Sequence, residues 1–107
     1  MDRPTFLKIA DTCLERVASW LEDFDPDEVD FSMSDGVVTL EFPDGAKYIL
    51  NRQTAADQMW FAAGARAWHY DRDAHNDTWK DDRDGHDLYG RIAEVVSEKI
   101  GRPVQMA

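Results

Sequence analysis

The sequence predicts an α+β fold: a two-layer sandwich with an N- and a C-terminal helix packed on one face of an antiparallel sheet of five to seven strands. Three observations predict it. Apolar residues recur at helical spacing at both ends of the chain. The middle is a series of short runs that alternate apolar and polar. Two of the joints between those runs are tight turns, Ser34-Asp35-Gly36 and Pro43-Asp44-Gly45, which impose antiparallel pairing. Two helices cover only one face of such a sheet, which fixes the layer count.

The first helix is expected over residues 5–24, where Phe6, Ile9, Ala10, Cys13, Val17, Trp20, Leu21 and Phe24 repeat at i, i+3, i+4 and i+7. Pro4 and Thr5 suit its start and Pro26 lies past its end. Six strands are then expected at 29–33, 37–42, 46–52, 58–62, 67–71 and 77–80. The last helix should run over 86–100, with Leu88, Ile92, Val95, Val96 and Ile100 on its apolar face. Asp84 is a plausible cap, and Gly101 and Pro103 stop it. Alternation points Val29, Phe31, Met33, Val38, Leu40, Phe42, Tyr48, Leu50, Met59, Phe61, Trp68 and Tyr70 inward. It points Asp30, Ser32, Thr39, Glu41, Lys47, Asn51, Gln58, Trp60 and His69 outward. An outward Trp60 beside Asn51 and Gln58 reads as an interface anchor, unless a loop or the C-terminal tail covers it.

At 107 residues, the chain is expected to be one domain over 1–107. With 43% apolar residues and four Trp, it is no disordered acidic tail. There is no apolar run of the roughly 18 residues that would span a bilayer. The N-terminus lacks the basic-then-apolar pattern of a secretory signal, and the lone Cys13 cannot form an internal disulfide. A reduced, cytoplasmic setting and a monomer are expected.

The formal charge of −10 is unevenly spread. Between Asp11 and Asp44 stand eleven acids and one base, Arg16, while the rest of the chain is balanced. The stretch LEDFDPDEVDFS (21–32) holds six acids in nine residues. Such a field repels nucleic acid and anionic membrane and attracts metal cations or a basic protein surface. Asp11, Glu15 and Glu22 fall within roughly 40° of one another on the first helix, forming one polar stripe.

Several chemistries are excluded. Asp23-x-Asp25-x-Asp27 fails as an EF-hand, because Glu28 stands where Gly is required and Ser34 where Glu is. One Cys and three scattered His make no zinc motif. No phosphate-binding glycine loop and no nucleophile with a paired base is legible. Cys13 is expected in the core, and His75 and His86 as ordinary surface residues.

The segment LNRQTAADQMWFA (50–62) resembles the signature of the frataxin family, carried here by Asn51, Arg52, Gln53, Gln58 and Trp60. The likeness continues in WHYD (68–71), Trp79 and the Asp84-Gly85 pair, and runs the length of the chain; the missing targeting extension is similar to the bacterial branch. The resemblance implies a helix–sheet–helix sandwich that binds iron along an acidic ridge. It also implies association with a cysteine desulfurase and an iron–sulfur scaffold, and modulation of cluster assembly without catalysis. The ridge would comprise Asp11, Glu15, Glu22, Asp23, Asp25, Asp27, Glu28 and Asp30. Partner contact would fall to Asn51, Arg52, Gln58, Trp60 and, as a candidate, His69. Ser32 departs from an acid found in some bacterial members, and Ala18-Ser19 interrupts the helical stripe.

Exposed carboxylates are hard ligands for Fe²⁺, Fe³⁺ and other divalent ions, and a row of them leaves most of the coordination sphere to water. Weak, exchangeable and poorly selective binding is expected. Two other readings carry different tests. A ferroxidase or iron-storage enzyme would need bridged metal pairs, and no Glu-x-x-His pair is present. A metal-independent acidic adaptor would bind its partner regardless of chelator.

Overall fold

The structure is a computed structural model and describes residues 1–106. Helix α1 (Arg3–Leu21) is followed by strands β1 (Asp30–Ser34), β2 (Val37–Glu41) and β3 (Lys47–Gln53). A single 3-10 turn (Thr54–Ala56) leads into β4 (Gln58–Ala63), β5 (Arg66–Asp73) and β6 (Thr78–Asp81), and α2 (Leu88–Ile100) closes the fold. The six strands pair antiparallel in chain order, so β1 and β6 are the two edges. This is the predicted sandwich, with a strand count inside the predicted range.

Local chemistry sets the boundaries. Asp2 caps α1, which starts two residues earlier than predicted: its Oδ1 accepts the Thr5 N–H at 3.0 Å, and Pro4 sits in the first turn where no N–H is needed. Likewise Asp87, not Asp84, caps α2 by accepting the Gly90 N–H at 2.9 Å. Asp84 is occupied with the turn before it, because Gly85 (φ +78°) carries a left-handed bend that no helix continues through.

The two helices lay their apolar stripes on one face of the sheet. Phe6, Cys13, Leu14 and Val17 of α1 and Leu88, Ile92, Val95 and Val96 of α2 join Val38, Leu40, Leu50, Met59, Phe61, Tyr70 and Trp79 in a single buried cluster. Cys13 is 1% exposed, as the helical periodicity required. One inward assignment fails: Met33 is 46% exposed. It shares a face with buried Val38, its register partner, but lies near the end of an edge strand. Alternation gives a side chain's direction, not how far the helices cover it.

The C-terminal segment turns back along α1. Gln105 C=O accepts the Trp20 indole N–H at 2.9 Å, and Val104 is tied to Ser97 Oγ. It therefore closes the helical layer and leaves the outer face of the sheet open.

Candidate functional site

The acidic residues follow the chain around one corner of the sandwich. Glu15 is exposed on α1, and Glu22 and Asp23 follow its last residue. Asp25 and Asp27 occupy the connecting turn, where Asp25 Oδ1 accepts the Asp27 N–H at 2.9 Å. Asp30 opens the edge strand β1, its Oδ1 accepting the Phe31 N–H at 2.8 Å. All six are exposed. Among the described residues, no Lys or Arg forms an ion pair with any of them.

The other two ridge residues are engaged. Arg52 donates to Asp11 at 2.6 Å and to Asp35 at 3.0 Å. Arg102 grips Glu28 with two bonds of 2.8 Å, and that guanidinium holds the Glu28 carboxyl below the usual range. Of the predicted row of eight, six carboxylates are open and two are already neutralised, Asp11 at its start and Glu28 between Asp27 and Asp30. The α1 C-terminus adds to the negative field, because the helix dipole places partial negative charge there and its last turn carries no basic residue.

The sheet's outer face carries the second group. Register places Trp60 on β4 between Asn51 on β3 and His69 on β5. The Trp60 and His69 rings stack with centroids 4.2 Å apart and 15° between planes. Gln58 Oε1 accepts the Trp60 indole N–H at 2.9 Å, while its amide donates to Asp71 and Asp82. The indole is therefore held in one orientation. A shallow cavity of about 210 Å³ lies among Ile49, Asn51, Trp60 and His69. Ile49, which is 41% exposed, supplies its apolar wall.

Arg52 does not join this group. It pairs with Met59, so its side chain lies on the helix-facing side of the sheet, only 17% exposed and committed to Asp11 and Asp35. It braces the ridge instead of lining the Trp60 face. Sequence reading also misplaced His86: its side chain is 18% exposed, against Tyr70, Asp81 and Asp84. The spacing Asp81-x-x-Asp84-x-His86 was visible, but nothing in the sequence showed that the loop folds inward.

Residues 1–102 match the family model described as the frataxin-like domain. The iron–sulfur cluster assembly protein CyaY of Thioalkalivibrio sulfidiphilus is 39% identical over 98 residues, covering 91% of this chain and 92% of that protein. Frataxin from Psychromonas ingrahamii superposes with a TM-score of 0.90 at 27% identity, over 100% of this chain and 99% of that one. Trimeric frataxin from the yeast Saccharomyces cerevisiae, complexed with ferrous iron, gives a TM-score of 0.75 at 30% identity, over 88% and 87% of the two chains. The family match, the matching architecture and the Asn51–Trp60 signature in register on adjacent strands agree, and the chain belongs to the frataxin-like family.

Proposed function

We propose that this protein is a non-enzymatic, iron-binding modulator of iron–sulfur cluster assembly. The observation that carries the proposal is the open corner of Glu15, Glu22, Asp23, Asp25, Asp27 and Asp30, which lacks internal counter-ions among the described residues. Ferrous ion, as cargo, would be held there by exposed carboxylate oxygens and water, weakly enough to leave again. The name of the bacterial relative, an iron–sulfur cluster assembly protein, supports the process, and the ferrous complex of the yeast relative supports the metal.

The partners we propose are a cysteine desulfurase, whose basic patch meets the acidic corner, and a scaffold protein, with the Trp60 face meeting scaffold and desulfurase together. A rigid, partly buried indole beside an open apolar cavity has the composition of an interface anchor. We take the working unit to be a monomer.

Two experiments test this reading. Trp60→Ala should weaken capture of desulfurase and scaffold by at least about tenfold, the cost of a typical aromatic hot spot, with an unchanged melting temperature. Undiminished capture of both partners refutes the assignment of that face. Anaerobic NMR titration with Fe²⁺ should perturb the corner residues first. Partner binding that ignores both Fe²⁺ and chelator would instead favour a metal-independent adaptor. Oxygen uptake scaling with Fe²⁺, and lost on neutralising the corner, would favour a ferroxidase.

A further inference from the structure

We propose that Asp81, Asp84 and His86 form a separate binding site for a divalent transition-metal ion, at the junction of β6 and α2. Each residue offers one donor atom, and the three atoms lie within 4.8 Å of one another. His86 Nδ1 is 2.5 Å from Asp84 Oδ1 and 4.0 Å from Asp81 Oδ2. Two ligands each about 2.1 Å from a common ion stand roughly 3.0–3.4 Å apart, so seating one ion requires the His86–Asp84 pair to open slightly and the wider-spaced donors to close.

Two observations separate this trio from a chance group of surface acids. The Asp81 side chain is only 3% exposed. Its Oδ2 accepts the N–H groups of Arg83 and Asp84, but its buried Oδ1 has no hydrogen-bond partner among the described residues. A buried carboxylate oxygen without a partner is destabilising, and a cation bound to that carboxylate offsets the cost. The second observation is the orientation of His86. Its Nε2 shares a 2.7 Å hydrogen bond with the Tyr70 hydroxyl, and its ring meets Trp68 and Tyr70 edge-on. With metal on Nδ1, the ring proton resides on Nε2 and is donated to the Tyr70 oxygen. Such an outer hydrogen bond fixes tautomer and ring plane at metal-ligating histidines.

The donor set distinguishes this site from the acidic corner. Two carboxylates and an imidazole suit Fe²⁺, Zn²⁺ or Ni²⁺, whereas Ca²⁺ and Mg²⁺ prefer all-oxygen shells. The loop also touches the Trp60 face. Asp82 donates its backbone N–H to His69 C=O at 2.9 Å, and its carboxylate accepts from Gln58 Nε2 at 3.2 Å. An ion at this site would sit one residue from the face proposed to dock the scaffold.

The test is a Zn²⁺ titration of the full chain in excess Ca²⁺, which loads the acidic corner, read by NMR of the histidine rings and backbone amides. One equivalent of Zn²⁺ should shift His86 and the amides around Asp81 before His69 or His75. Asp84→Asn and His86→Gln should each weaken Zn²⁺ binding by roughly tenfold or more. Melting curves would establish that both variants are folded. Neutralising Glu22, Asp23 and Asp25 should leave this site intact. A His86 ring that stays still, or folded variants that bind Zn²⁺ as wild type does, overturns the site while leaving the corner reading untouched. A site that persists while corner variants keep all their Fe²⁺ affinity overturns the corner reading alone.

Discussion

At the scale of single residues, Gly36 shows how turn chemistry protects the site. It sits in the β1–β2 turn at φ +77°, and a Cβ placed there would meet the Arg52 guanidinium carbon at 3.0 Å. Arg52 is the residue that neutralises Asp11 and Asp35, so Gly36→Ala strains the turn and pushes at this ion pair together. It should cost about 1–2 kcal/mol, read by urea denaturation. Cys13 makes a different prediction. Burial pushes its thiol up to about 12, so it should resist alkylation at pH 8 in the native state and react only on unfolding. Rapid native-state labelling would contradict its place in the core. The core positions of both helices were legible because their 3.6-residue repeat is unbroken. The environment of His86 was not, since one histidine in a polar loop has no periodicity to reveal its direction.

At the scale of elements, the informative piece is the C-terminal segment after α2. Arg102 binds Glu28 and lies 5.7 Å from the Phe24 ring centre, while Gln105 C=O accepts from Trp20. It clamps the acidic turn to the helical layer. Because Arg102 lowers the folded-state pKa of Glu28 beneath its ordinary 4.5, the stabilisation is present above that value and lost as pH falls through the folded value. Arg102→Gln should therefore lower the melting temperature at pH 7, with the gap to wild type closing in acid. A gap that is independent of pH would mean the segment acts through packing alone. Pro103 and Gly101 announced the end of α2 in the sequence, but the return path depends on contacts with α1 across 85 residues of chain, which no local pattern encodes. The same limit explains Met33. Strand order decides which strands are edges, and alternation does not report it. By contrast, all six strands could be placed to within a few residues, because Asp-Gly turns and a period of two are local signals.

At the scale of the whole molecule, the two proposed binding surfaces lie on different faces. The helical layer and edge strand β1 carry the acids that have no ion pair among the described residues; the open sheet carries Trp60 and its stacked histidine. The charge excess that the sequence places between Asp11 and Asp44 is only partly compensated on folding, by Arg52, Arg102, Lys47 and Lys99. What remains is concentrated around the carbonyl end of α1. Most of these charges are neighbours along the chain already; folding fixes their spacing beside Glu15, so the folded state bears more repulsion than a flexible chain that can spread them. A cation binding only the folded form stabilises it by mass action. The direct measurement is the melting temperature with and without Ca²⁺, for wild type and for the Glu22→Gln, Asp23→Asn, Asp25→Asn triple variant. The account predicts that wild type melts higher with Ca²⁺, and that the metal-free triple variant melts above metal-free wild type and no longer responds to Ca²⁺. A triple variant less stable than wild type, or one that gains as much from Ca²⁺ as wild type does, would contradict it.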